Sequence, residues 1–209
     1  MIGGRSLSST YDITHENIMK FGLKHFTENG YIKTSLRELC KEVGITTGGF
    51  YRHFKDKECL FTELVKPALE VVGMIGQASI DRSEVAFNKN QTPTIWTDSE
   101  DVYKHWINSF YANKDAFKLL LCYSNGSKYE NFIDDLSQYS TKATMEFVKK
   151  VYTQKGIKEL PSEDELHILL TAMWRCLAEP IIHDFPIEKA LSFCTTINKL
   201  FNWKDIFEF

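Results

Sequence analysis

The sequence predicts an all-α fold in two parts, three short helices at the N-terminus followed by a larger helical body. Three observations predict it. Apolar residues recur three and four positions apart along nearly the whole 209-residue chain, the spacing of a helix face. Hydroxyl or acidic residues stand ahead of the periodic runs and glycines close several of them, as helix caps do. No stretch shows the strict alternation of a half-buried strand.

The first helix is expected from Thr14, as its N-cap, through Ile18, Phe21, Gly22 and Phe26, with Asn29-Gly30 as the stop. Thr34-Ser35, with Glu38 in capping-box register, opens a second helix of about two turns. Its buried face is Leu36, Leu39, Cys40 and Val43, and Gly44 ends it. Ile45 follows, Thr46 takes the next cap position, and a third helix covers residues 47–54 before Asp56 caps a fourth starting at Lys57. Helical periodicity then spans residues 59 to about 80, 99–112, 115–123, 128–154, 162–183 and 187–203. Pro67 removes an amide hydrogen bond and predicts a kink or break. Residues 81–97 lack periodicity, carry Asn88, Asn90, Thr92 and Pro93, and read as a long loop.

Composition excludes several classes. Apolar residues make up 43% of the chain and charged residues 25%, values of an ordinary globular protein rather than a disordered one. No run approaches the roughly 18 uncharged apolar residues that span a bilayer, the longest being residues 119–123. Residues 1–12 are rich in Ser, Thr and Gly and lack the apolar centre of a signal peptide, so a frayed tail and a cytoplasmic location are expected. Five scattered cysteines without a C-x-x-C pair suggest reduced thiols. The net charge of −3 conceals an asymmetry: residues 1–57 hold nine Lys/Arg and six Asp/Glu, giving +3, and the remainder carries −6. Affinity for polyanions is therefore expected at the N-terminus.

Residues 36–54 meet the requirements of a helix-turn-helix: two short amphipathic helices, a sharp turn, and a second helix whose outer face can enter a major groove. Gly44 supplies the left-handed turn position and Ile45 plugs the corner. Phe50 and Phe54, four apart, face the core and leave Thr47, Gly48, Tyr51 and Arg52 projecting outward. Gly48 and Gly49 each weaken a helix by roughly 1 kcal/mol relative to alanine. Close approach to DNA explains them, as does packing against the first helix.

In these residues the sequence resembles the TetR family of transcriptional regulators. The resemblance runs without a gap from Ile18 to about Phe61. It is carried by Ile18 and Phe26, Gly30-Tyr31, Thr34-Ser35-Leu36-Arg37, Val43-Gly44-Ile45-Thr46, Phe50-Tyr51, His53-Phe54, Lys55, Lys57 and Leu60. It implies that residues 1–57 form a DNA-binding domain and residues 58–209 a helical effector-binding and dimerisation domain. By the same resemblance Arg37 and Thr47 face base edges, and Thr34, Ser35, Gly49, Tyr51, His53 and Lys57 position phosphates. Thr46, Gly48 and Lys55 complete the candidate DNA-binding set. The usual polar residue is missing at Gly49, leaving only its backbone amide for that contact. Against these roles, Arg37 also suits a solvated partner of a neighbouring acid, Tyr51 a packed surface ring, and Lys55 and Lys57 ordinary surface lysines. His53 has no carboxylate or cysteine at ligand spacing, so neither a metal nor acid-base chemistry is expected there.

One helix-turn-helix reads few base pairs, so a homodimer on a palindromic operator in double-stranded DNA is expected. The resemblance implies an interface on the last two long helices, for which Leu166, Leu170, Met173, Leu177, Leu191, Cys194, Ile197 and Phe201 are candidates; plain core is the competing reading. Aromatic residues crowd the middle of the chain, and Trp96, Trp106, Phe110, Tyr123, Phe132 and Trp174 are candidates for a pocket that takes a small apolar or amphipathic effector. The resemblance implies that such an effector releases a repressor from its operator. No cofactor and no metal are expected: His167, Cys176 and His183 are too widely spaced, and no phosphate-binding or nucleophile motif surrounds residues 124–127. Two other readings stay open, a regulator acting through a protein partner, for which acidic residues 98–101 are suited, and an all-helical enzyme, against which stands the lack of a paired catalytic constellation.

Overall fold

The computed structural model describes residues 10–89 and 99–207, and among these every regular element is a helix. Helix α1 (Thr10–Lys33) buries Ile18, Gly22, His25 and Phe26 along one stripe. Gly22 allows close approach of the fourth helix, since a Cβ there would stand 3.0 Å from Leu60 Cδ2. At Gly30 the backbone leaves helical geometry (φ 72°, ψ 169°), which only glycine adopts cheaply.

Helix α2 (Leu36–Val43) starts at Ser35, whose side chain accepts from the Glu38 amide at 3.5 Å. It ends at Gly44, left-handed at φ 80°, with Ile45 N–H closing onto Cys40 O at 2.9 Å. Helix α3 (Thr47–Phe50) begins at Thr46, whose Oγ1 accepts from the Gly49 amide at 3.0 Å. Phe50 and Phe54 turn inward and, with Leu39 and Ile18, close the core of a three-helix head.

Helix α4 (Lys57–Asn88), capped by Asp56, is about 48 Å long at 1.5 Å per residue and runs from the head into the body. Its Leu60 and Phe61 pack on α1, and its later turns, through Val71 and Ile75, join the body core. The body comprises α5 (Ser99–Ala112), α6 (Lys114–Cys122), α7 (Phe132–Lys155), α8 (Glu163–Ile182), α9 (Ile187–Leu200) and α10 (Trp203–Ile206). α5 lies against α9 and α7 against α8, while α6 is wedged among α4, α8 and α1. No helix among the described residues is long and apolar enough to cross a membrane.

Several expectations change. α1 begins at Thr10, and Thr14 sits inside it with its hydroxyl on the Thr10 carbonyl rather than at a cap. α3 is a single regular turn; residues 51–53 continue as a turn instead of a helix to residue 54. α4 continues through Pro67 and through residues 81–88, where the lack of periodicity predicts loop. The helix loses one amide bond at the proline, but buried contacts on both sides of it hold the rod together. α10 is separate from α9, where the periodicity predicts one continuous helix. Trp203 Nε1 donates to Tyr103 Oη at 2.8 Å and Tyr152 Oη to Phe207 O at 3.0 Å, so tertiary hydrogen bonds fold the C-terminal segment back over the bundle end.

Candidate nucleic-acid interface

The α2–α3 corner divides the candidate residues by the direction they face. Arg37, Thr46, Thr47, Gly48, Tyr51, Arg52 and Lys55 are exposed, Tyr51 at 58% of its surface. Ser35 and Gly49 are half-buried and occupied with capping, Ser35 for α2 and the Gly49 amide for α3. The Gly49 N–H therefore already has an acceptor in Thr46 Oγ1.

Neither Gly48 nor Gly49 has a positive φ. A Cβ at Gly48 would meet only Thr46 Oγ1 at 3.7 Å, and one at Gly49 would meet Ile45 Cβ and Thr46 Oγ1 at 3.5 Å, all ordinary van der Waals distances. Packing against α1 does not account for these glycines, because the atoms a Cβ would meet lie on their own turn.

Two residues expected at phosphates turn inward instead. Thr34 is 4% exposed, and its hydroxyl donates to the carbonyls of His25 (3.1 Å) and Gly30 (2.7 Å), where it satisfies the end of α1. Lys57 Nζ donates to the carbonyls of Tyr31 (2.7 Å), Ile32 (3.3 Å) and Thr34 (3.3 Å) and sits 4.4 Å above the Tyr31 ring. Burial lowers its pKa. A cation placed on the terminal carbonyls of α1 stabilises that helix end, and the same ammonium is no longer free to reach a phosphate.

His53 is half-buried in an aromatic stack that the sequence reading missed. Its ring lies 4.1 Å from Tyr11, and His15 lies 5.7 Å from His53 and 4.9 Å from Phe54. Burial first, and the neighbouring His15 charge second, lower the pKa of His53. Tyr11 and His15 are four apart on α1, a spacing that puts both on one face, so their pairing was in principle legible. Glu42, also missed, takes Lys24 Nζ at 2.5 Å and His25 Nε2 at 2.7 Å, tying α2 to α1.

In the body, Phe110, Phe132 and Trp174 line a narrow apolar cavity of about 20 Å3, room for about one water molecule. Trp106 stacks on Trp174 at 5.2 Å, and Trp174 Nε1 donates to Ser140 Oγ at 3.0 Å. Tyr123 lies instead at the end of α6, with its carbonyl bonded to the Tyr31 amide, and Trp96 lies outside the described residues. The aliphatic lining, including Val72 of α4, Leu136 and Ile181, carries no sequence mark that separates it from other core.

Within the single chain the candidate dimer residues lie mostly on the inward faces of α8 and α9. Leu166, Leu170, Met173, Leu177, Cys194, Ile197 and Phe201 are each at most 6% exposed within the single chain, and Leu191 is half-buried. Their apolar surface is already spent between α8, α9 and the rest of the body. The opposite faces of the same helices carry Ile168 (65% exposed), Ala172 and Cys176 on α8, and Phe193, Thr196 and Leu200 (65% exposed) on α9.

A three-helix head that presents the outer side of a helix-turn-helix, mounted by one long helix on a larger helical body, defines a class of two-part helix-turn-helix proteins. Residues 18–64 match the family model described as bacterial regulatory proteins, tetR family. The chain is 43% identical over 51 residues to the HTH-type transcriptional regulator AcrR of Shigella flexneri, 24% of each chain. It is 30% identical over 138 residues to the uncharacterized HTH-type transcriptional regulator YerO of Bacillus subtilis, covering 63% of this chain and 42% of the relative. These matches span less than half of either relative's length. The whole fold is shared with a transcriptional regulator from Aquifex aeolicus (TM-score 0.55, 22% identity, 90% of this chain and 98% of the other) and with PfmR of Thermus thermophilus (TM-score 0.54, 18%, 87% and 97%). The tetR-family match thus covers the head and the first turns of α4, and the chain as a whole shares the fold of these solved regulators.

Proposed function

We propose that this protein is a cytoplasmic DNA-binding transcriptional regulator, with no enzymatic activity of its own, that occupies a palindromic operator as a homodimer and is released when a small apolar or amphipathic molecule enters the body. The observation that carries the reading is the outer surface of α3. Gly48 exposes bare backbone and Gly49 is half-buried, both where their own chain has room for side chains, between Thr47 and the exposed Tyr51, and Arg37 is exposed on α2. A surface of this kind admits close approach to a duplex, with Arg37 and Thr47 directed at base edges. Ser35, Tyr51, His53 and Lys55 serve the phosphate backbone.

The exposed apolar side of α8 and α9 is the face for a second copy, Ile168 and Ala172 meeting Phe193 and Leu200 across a two-fold axis. The effector enters at the narrow cavity lined by Trp174, which widens to admit it. Its lining includes Val72 of α4, so an occupant pushes on the helix that carries the head, and one equilibrium links the two sites.

Selection of bound duplexes from a random pool, followed by mobility shift, tests the reading. A palindrome should be recovered, and Arg37→Ala and Tyr51→Ala should each bind it at least about tenfold more weakly, the effect of roughly 1.4 kcal/mol, with helical content unchanged. Affinity should fall linearly with salt on logarithmic axes, because phosphate contacts release counterions. Recovery of no duplex, or unaltered binding by both variants, rejects the assignment.

A further inference from the structure

Besides the packing of α6 on α1, two connections fasten the head to the body. One is α4, a single rod, which fixes the position of the head but leaves its tilt to whatever braces the first turns. The other is the connection between α6 and α7, residues 123–131, which meets the end of α1 and the start of α4 together. Tyr31 N–H donates to Tyr123 O at 2.9 Å. Tyr31 Oη donates to Glu58 Oε2 at 2.6 Å, and Glu58 Oε1 accepts from the Lys128 amide at 3.4 Å, so one carboxylate joins all three segments. Tyr129 Oη donates to Thr62 Oγ1 at 3.3 Å. Gly126, at φ 84°, lies so tightly on Ile32 that a Cβ would stand 2.4 Å from Ile32 Cγ1. Burial, with the Glu58 hydrogen bond and charge behind it, raises the Tyr31 phenol far above its ordinary value, which keeps it a neutral donor throughout the physiological range.

We propose that this connection is a latch that sets the angle of the reading head on the body, with Tyr31, Glu58 and Gly126 as positioning residues, and thereby fixes which half-site separation the dimer accepts. The inference rests on the regulator reading above. Its physical basis is leverage. Two heads on one dimer must fall one helical turn or a multiple apart, and a change of about 3.4 Å in their separation, about 1.7 Å at each reading surface, already corresponds to a base-pair step. Directional hydrogen bonds and a backbone contact without room for a methyl group permit one angle. Loosening them admits neighbouring angles and leaves the residues that face bases untouched.

The test is selection from a random duplex pool by the full-length protein and by Tyr31→Phe, Gly126→Ala and the pair Ile32→Ala with Gly126→Ala. The unaltered protein should enrich one separation. Tyr31→Phe and Gly126→Ala should enrich the same half-site sequence at neighbouring separations too, with discrimination between adjacent spacings reduced about tenfold or more. Removing the Ile32 side chain beneath the introduced methyl group should narrow the distribution in part, since the left-handed φ of 84° still strains an alanine there, and even a partial rescue is one that general destabilisation does not produce. If Gly126→Ala fails to fold, Tyr31→Phe, which removes one hydroxyl and no packing, decides. A single unaltered separation in Tyr31→Phe and in any folded Gly126→Ala overturns the latch while the regulator reading stands. Failure of the unaltered protein to enrich any duplex overturns both.

Discussion

Glycine in a helix costs stability, so two in succession in a single-turn helix need a compensating use. For Gly22 the use lies within the chain, because Leu60 occupies the space a Cβ would take. For Gly48 and Gly49 it does not: both have room and neither has a positive φ. Gly48→Ala and Gly49→Ala should therefore leave the urea midpoint unchanged or raise stability by up to roughly 1 kcal/mol each, while weakening duplex binding in a mobility shift. Loss of stability in these variants points to packing as the reason for the glycines; binding that survives both substitutions removes the close-approach argument.

At the scale of elements, the start of α4 is where the head depends on pH. Asp56 accepts from the Cys59 amide at 2.7 Å, and that hydrogen bond holds its carboxyl below the usual carboxylate range. Since the folded state has the lower pKa, the cap contributes fully above the ordinary aspartate value, and its contribution disappears as pH falls through the depressed value. Asparagine caps almost as well and does not titrate. Asp56→Asn should accordingly keep stability near neutral pH and flatten the acid limb of a urea-midpoint profile against pH. A limb as steep as that of the unaltered protein assigns the acid sensitivity elsewhere, with Glu42, also held low by hydrogen bonds from Lys24 and His25, as the next group to examine.

For the whole molecule, the two sides of α8 and α9 make opposite predictions. Leu177 is fully buried, so Leu177→Ala should cost about 2–5 kcal/mol of stability through the cavity it leaves, read from denaturant unfolding. Ile168→Glu combined with Phe193→Glu alters only exposed positions and should yield folded monomers in sedimentation velocity. Dimers that persist in this double variant place the interface on another surface. The acid pair is informative because it removes apolar area and sets like charges against each other across the two-fold axis.

Much of the head was legible in sequence because its signals are local. The Ser35, Thr46 and Asp56 caps, the left-handed Gly44 and the Phe50–Phe54 spacing act over one or two turns, and the structure keeps each of them. The inward turn of Thr34 and Lys57 is less legible: Thr34 bonds carbonyls four and nine residues back, and the partners of Lys57 lie more than twenty residues away. Periodicity marked Leu170 and Ile197 as apolar face but cannot say whether that face meets the same chain or another. The cavity, the latch at Tyr31, Glu58 and Gly126, and the inward closure of Trp203 were decided by tertiary packing alone. Each depends on distances between segments remote in sequence, and helical spacing carries no information about those distances.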